Sequence, residues 1–121
     1  MAIRIKRVYE PASRADGTRI LVDRIWPRGM SKEKAAIEFW ARDLAPSNAL
    51  RKWYGHSPEK WKSFRDRYFK ELDENPAALE AVTPYLNTRT VTLVFGSKEE
   101  KFNNAAALKE YLESRKQAPG S

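Results

Sequence analysis

The run Thr-Val-Thr-Leu-Val-Phe, residues 90 to 95, is made only of β-branched, aliphatic and aromatic residues that favour strands, and this makes it the strongest strand in the chain. Helical pattern lies on both sides of it. Strands separated by helices favour an α/β layer arrangement with a partly parallel sheet. Downstream, the spacing predicts a last helix from Ala105 to Arg115, capped by Asn103 or Asn104. Residues 117 to 121, Gln-Ala-Pro-Gly-Ser, are expected to form a disordered tail.

Upstream, Ser57-Pro58-Glu59 is a helix start, because proline lacks only an amide that would be unpaired there. Trp61, Phe64, Tyr68 and Leu72 then fall on one stripe of a helix turning every 3.6 residues, with Lys60, Arg67, Lys70 and Glu74 opposite. Asn75-Pro76 ends that helix and begins another, which Pro84 is expected to shorten or break. Ser47 is placed to cap a helix carrying Leu50 and Trp53 inward, with Gly55 as its stop. Ile37 to Leu44 reads equally as strand or as irregular backbone. Ser31 caps a helical turn through Ala36, Ile20 to Arg24 is a second strand, Tyr9 to Thr18 a loop, and Ala2 to Val8 a first strand. The expectation is a single small α/β domain over residues 1–116, its short sheet flanked by helices.

Composition sets limits on the chemistry. A chain of 121 residues buries roughly two thirds of its unfolded surface, enough for one modest core. Without cysteine there are no disulfides, thiolate zinc sites, iron–sulfur clusters or cysteine nucleophiles, and one histidine excludes any site built from two imidazoles. Any metal would be held by oxygen; no metal-ligating residue is singled out, and the sequence names no cofactor. No apolar run is long enough to span a bilayer, and the first seven residues do not form a signal peptide, so the expected location is the cytoplasm. With 23 Lys+Arg against 16 Asp+Glu the net charge is +7, which favours anionic partners without separating a small phosphate from a polyanion.

In parallel sheets, ligands sit beyond the carboxyl ends of strands. Two segments fall there. The first, Val-Asp-Arg-Ile-Trp-Pro-Arg-Gly at 22 to 29, sets Arg24 and Arg28 to present forked donors to a phosphate or carboxylate, with Asp23 fixing one of them or taking a ligand hydroxyl. Equally, Asp23 could pair with Arg24 or Arg28 and simply tie the loop to the fold while Trp26 fills a hole in the core. The second, Phe95 to Asn104, has Gly96 for close approach, Ser97 for a hydroxyl and Lys98 for a cation beside the amides of the last helix. It is neither a Walker loop nor a dinucleotide fingerprint, and a plain polar turn with a helix cap fits it too. His56 suits either the last carbonyls of the preceding helix or proton transfer. Asp43 is a possible carboxylate partner for it. Ser97 is the one candidate nucleophile, but it lacks the Gly-x-Ser-x-Gly elbow.

The stretches at 5 to 10, 21 to 29, 31 to 35, 43 to 47 and 50 to 56 together resemble the DUF488 family in its YeaO-like branch. Trp61 with Phe64 and Tyr68, Val91 to Phe95, and Asn103-Asn104-Ala105 leading to Leu112 agree with it. The resemblance implies a small α/β domain and weights Asp23, Arg24, Arg28, Asp43, Arg51, His56, Lys98 and Asn103. Where the family usually has Lys-Asp-Glu-Glu-His-Asn, this chain has Lys98-Glu99-Glu100-Lys101-Phe102-Asn103, with Phe102 in place of a histidine and Glu99 in place of an aspartate. That loss favours binding over catalysis, while leaving open whether the protein is an enzyme.

Three functions follow as expectations. The first is a site for a small phosphorylated or nucleotide-like anion at Asp23, Arg24, Arg28, Arg51, Ser97, Lys98 and Asn103, with His56 or Asp43 as acid or base. The second is nucleic-acid binding through the positive charge and stacking aromatics. The third is a protein-interaction module with an apolar patch at Tyr54 or Phe69. Oligomeric state is not readable from the sequence.

Overall fold

The computed structural model describes residues 2–55 and 57–117. Its four strands are β1 (Ala2–Arg7), β2 (Thr18–Leu21), β3 (Phe39–Trp40) and β4 (Thr90–Phe95), ordered β1-β4-β2-β3. All three pairings are parallel, with Ile3 opposite Val91, Ile20 opposite Leu93, and Leu21 opposite Trp40. The sheet of the described residues is thus wholly parallel rather than partly so. β4, last in sequence, inserts between β1 and β2, and each strand is reached by a connection that crosses back to the same end of the sheet. A central parallel strand is buried on both faces, which is why Val91 to Phe95 are buried without alternation.

Side chains alternate across the sheet. Val91, Leu93 and Phe95 face the main core with Ile3, Ile20 and Val22, against the helices. Val94 faces the other way, packing with Val8 and Ala35 under Trp26, Met30 and Ile37. The main layer consists of α2 (Asn48–Tyr54), α3 (Trp61–Asp73), α4 (Pro76–Leu86) and α5 (Asn104–Gln117). On the second face α1 (Lys32–Ala35), capped by the Ser31 side chain at the Lys34 amide, covers the strands together with the turn Arg14–Asp16, whose Asp16 carbonyl accepts from the Thr92 hydroxyl at 2.7 Å.

Local rules account for most element ends. Ser47 accepts from the Leu50 amide, and Gly55 closes α2 in the left-handed region at φ 51°. Phe64, Tyr68 and Leu72 are buried on α3, while Trp61, preceded by a 3-10 turn over Pro58–Lys60, is half-buried. Tyr54, rather than Trp53, is the buried aromatic of α2. Pro84 does not break α4, which runs on to Leu86. Proline removes one amide in the last turn, where few helical bonds remain to be lost. α5 runs two residues beyond Arg115; Ala118–Ser121, most of the expected tail, lie outside the described residues.

Gly17 holds the connection from β1 to β2. Its φ is 64°, and a Cβ there would lie 2.2 Å from the Thr90 carbonyl oxygen, so the chain can pass the start of β4 only as glycine. Beside it, the buried Asp16 takes a 2.7 Å ion pair from the buried Arg19 and a 3.1 Å contact from Lys6, while Arg19 also donates through Nε and Nη2 to the Ala35 carbonyl. This network ties β1, β2 and α1 together. Among the described residues, no helix is long and apolar enough to cross a membrane.

Candidate functional site

β2 and β4 end side by side, the Val22 amide donating to the Val94 carbonyl at 3.0 Å. Asp23 follows directly. Its Oδ2 accepts from the Gly96 amide at 2.8 Å and its Oδ1 from Asn104 Nδ2 at 3.2 Å, while its carbonyl accepts from Trp40 Nε1 at 2.7 Å. Asn104 donates as well to the Val22 carbonyl at 2.9 Å. One carboxylate therefore joins the ends of two strands to the start of α5, and it does so through Gly96 and Asn104 rather than through an ion pair with Arg24 or Arg28. Burial pushes the Asp23 carboxyl above its ordinary value, against the Gly96 amide, Asn104 and the charge of Arg51. A Cβ at Gly96 would come within 3.1 Å of Asp23 Oδ2, so a side chain there would have to push the carboxylate back by a few tenths of an ångström.

Over this brace lies a cavity of about 220 Å³. Asp23, Arg24, Arg51, Ser97, Asn103 and Asn104 supply its polar wall. Ile25, Ala45, Pro46, Tyr54 and Phe64 supply the apolar one. Arg24 reaches from the end of β2, its Nη2 making a long 3.4 Å bond to the Ala45 carbonyl and its buried Nε finding no partner among the described residues. Arg51, on α2, donates to Asn48 Oδ1 at 3.4 Å. Among the described residues neither guanidinium forms an ion pair with a carboxylate.

The loop from Ser97 to Asn103 is built from its own side chains. Ser97 Oγ accepts from the Glu99 amide at 3.0 Å, and its carbonyl accepts from Arg7 Nε. Glu99 Oε2 accepts from the amides of Lys101 and Phe102, and Asn103 donates to the Glu99 carbonyl at 2.8 Å. Asn103 Oδ1 accepts from the Ala106 amide, making it the cap of α5 and leaving Asn104 for Asp23. Phe102 packs on Trp61 at 5.4 Å, and its carbonyl accepts from the Tyr54 hydroxyl at 2.8 Å. Both positions that depart from the family pattern thus hold this loop.

Of the residues expected to form the site, Asp23, Arg24, Arg51, Ser97 and Asn103 converge on the cavity. Arg28 and Lys98 do not line it. The turn after Arg24 carries Trp26 back to the Met30 carbonyl and leaves Arg28 exposed, its carbonyl taken by Tyr9, while Lys98 projects from an exposed position in the loop. Asp43 is exposed in the turn Arg42–Leu44, on a separate shallow hollow shared with Arg24 and Asn75. His56 lies outside the described residues. Neither aromatic proposed for a docking patch is open, since Tyr54 is buried and Phe69 packs on Tyr111. Asn104 and the apolar wall were not anticipated as parts of the site; the Asn-Asn pair at a helix start is the one signal for the former. Among the described residues, no three carboxylates or imidazoles gather as a metal would need.

Residues 2–120 match the family model described as the inactive DUF488-N3 subclade. The chain belongs to the DUF488 family. It is 40% identical over 113 residues to the uncharacterized protein Rv3073c of Mycobacterium tuberculosis (strain H37Rv), covering 93% of this chain and 95% of that one. It is 36% identical over 114 residues to the uncharacterized protein YeaO of Escherichia coli K12, covering 94% and 99%. No solved structure matches it. For this DUF488 chain the arrangement offers two cationic forks, one carboxyl and several amide and hydroxyl groups around an apolar recess. Its one serine hydroxyl in the wall serves a local turn.

Proposed function

We propose that the protein binds a small phosphorylated or nucleotide-like anion in the cavity at the ends of β2 and β4, and that it binds rather than transforms it. The observation that carries this reading is the pair Arg24 and Arg51, unpaired with any described carboxylate, in the wall of one recess. Arg24 spends only a long 3.4 Å bond from Nη2 within the protein, which leaves guanidinium donors for an anion. Asp23, held at the inner end, favours a ligand that also brings a hydroxyl. At about 220 Å³ the recess is below the roughly 300–1,000 Å³ of sites for drug-sized ligands and suits a phosphate with part of a sugar. Binding without turnover is supported by Phe102 standing where the family usually has histidine, and by the subclade's description as inactive.

The nucleic-acid reading has less support. Trp53, the half-buried ring nearest the basic side chains of α3, already has Arg67 over it at 4.1 Å and Lys60 at 5.0 Å. The test is a thermal-shift screen of nucleotides, phosphorylated metabolites and carboxylates. Stabilisation is expected in the wild type, lost in Arg24→Ala and Arg51→Ala, and kept in Arg28→Ala and Lys98→Ala. A ligand that stabilises wild type and Arg24→Ala equally would overturn the reading.

A further inference from the structure

Arg24 lines two hollows. One is the cavity already described; the other is a shallow outer hollow of about 410 Å³ bounded by Asp43, Asn75, Ala77, Ala78 and Ala81. No other residue is common to both walls. The geometry points to a ligand with a single anionic group at Arg24 and a neutral body on each side of it, that is, a phosphodiester rather than a terminal phosphate. The inference rests on the anion reading of the inner cavity.

Charge and shape lead to this class. Each hollow contributes one carboxylate, Asp23 within and Asp43 without, so a second negative charge on either side of Arg24 meets repulsion, whereas hydroxyl or amine donors find acceptors. A monoanionic diester places its charge at Arg24, which the two hollows share, and keeps its flanks neutral. The floor of the outer hollow is three alanines from α4, with Asn75 tied to the Asp43 carbonyl at 3.0 Å. Such a floor lets a flat ring lie close to the helix, and its edge can donate to Asp43. Taken singly, the inner recess is too small for a nucleoside with its phosphate; with the outer hollow, the volume falls within the range usual for ligand sites.

The probes are adenosine joined through its 5′-phosphodiester to the 5-position of ribose, whose sugar fits the inner recess and whose nucleoside lies in the outer hollow, and ribose 5-methylphosphate, which has the same charge and only the inner body. Titration by calorimetry should show the two-body diester binding wild type about tenfold tighter, because the second body adds contact without a second cost of association. Ala81→Trp and Ala77→Trp, at exposed α4 positions, should bring the two-body diester down to the methyl ester's affinity and leave the methyl ester unchanged. Circular dichroism of both variants establishes that they fold. Equal affinity of the two probes for wild type, or full affinity for the two-body diester in both tryptophan variants, overturns the two-body inference alone. Binding of neither probe overturns the anion reading along with it.

Discussion

Asp16 and Asp23 show how a carboxylate's surroundings set the sign of its contribution. Burial pushes both up, but at Asp16 the Ser13 amide, Lys6 and Arg19 outweigh it and hold the carboxyl below its ordinary value of 3.8. At Asp23 burial prevails over Gly96, Asn104 and Arg51. A lowered folded-state pKa gives stability that is present above the unfolded value and lost as pH falls through the folded one; a raised pKa gives a penalty that grows as pH rises through the folded value. The difference in stability between wild type and Asp16→Asn should therefore be larger at pH 7 than at pH 3, reaching about 3 kcal/mol because Arg19 is left buried and unpaired. For Asp23→Asn the difference should be larger at pH 4 than at pH 7. Urea denaturation across this range measures both, and slopes of the same sign would contradict the assignment. The sequence marks Asp23 and Arg24 as site residues through their place after a strand. It could not separate Arg51 from Arg28, because that depends on the turn at Trp26 to Met30 and on α2 folding back over the strand ends.

Among the elements, those defined by local chemistry were readable from their own residues. β4, the stripe of α3 and the Ser47 and Asn103 caps depend on β-branching, period and a side-chain acceptor three residues before an amide. β3 was ambiguous because two residues carry no period, and only pairing of Ile20 and Leu21 with Phe39 and Trp40 makes them a strand. The start of α5 deserves a direct test, since two adjacent asparagines do different work there. Asn103→Ala removes the cap and the tie to Glu99, and should cost about 1–2 kcal/mol. Asn104→Ala removes the donor to Val22 and Asp23, and should cost a comparable amount of about 1–3 kcal/mol while altering the pH response of Asp23. Chemical denaturation from pH 4 to 7 separates them: Asn103→Ala shifts the curve uniformly, and Asn104→Ala shifts it by an amount that changes with pH. Equal pH response of the two variants would show that Asn104 does not support the carboxylate.

At the scale of the whole molecule, insertion of the last strand between the first two makes the fold depend on long-range closure. Thr90 pairs with Ala2, and the same end of β4 meets the backbone of the β1 to β2 connection at Gly17. Parallel pairing across such separations was not readable from the segments, because each strand carries the same apolar pattern whichever neighbour it takes. The contact at Gly17 tests the topology directly. An alanine Cβ would lie 2.2 Å from the Thr90 carbonyl oxygen and 2.9 Å from its carbon, and the φ of 64° is already one that side chains rarely adopt. Relief by moving β4 would disturb its pairing with both β1 and β2, and relief by moving the loop would pull Asp16 from Arg19. Gly17→Ala should therefore destabilise by about 3 kcal/mol or more, a size reserved for strain and buried-network loss. The urea midpoint should fall with an unchanged m-value, and tryptophan fluorescence and far-ultraviolet circular dichroism should still report one coincident transition. A loss below about 1 kcal/mol would mean that the β1 to β2 connection does not cross the start of β4. Gly29→Ala is the control: its φ of 75° is equally left-handed, yet no atom lies within 4 Å of the added carbon, so its cost measures the backbone conformation alone and should be the smaller.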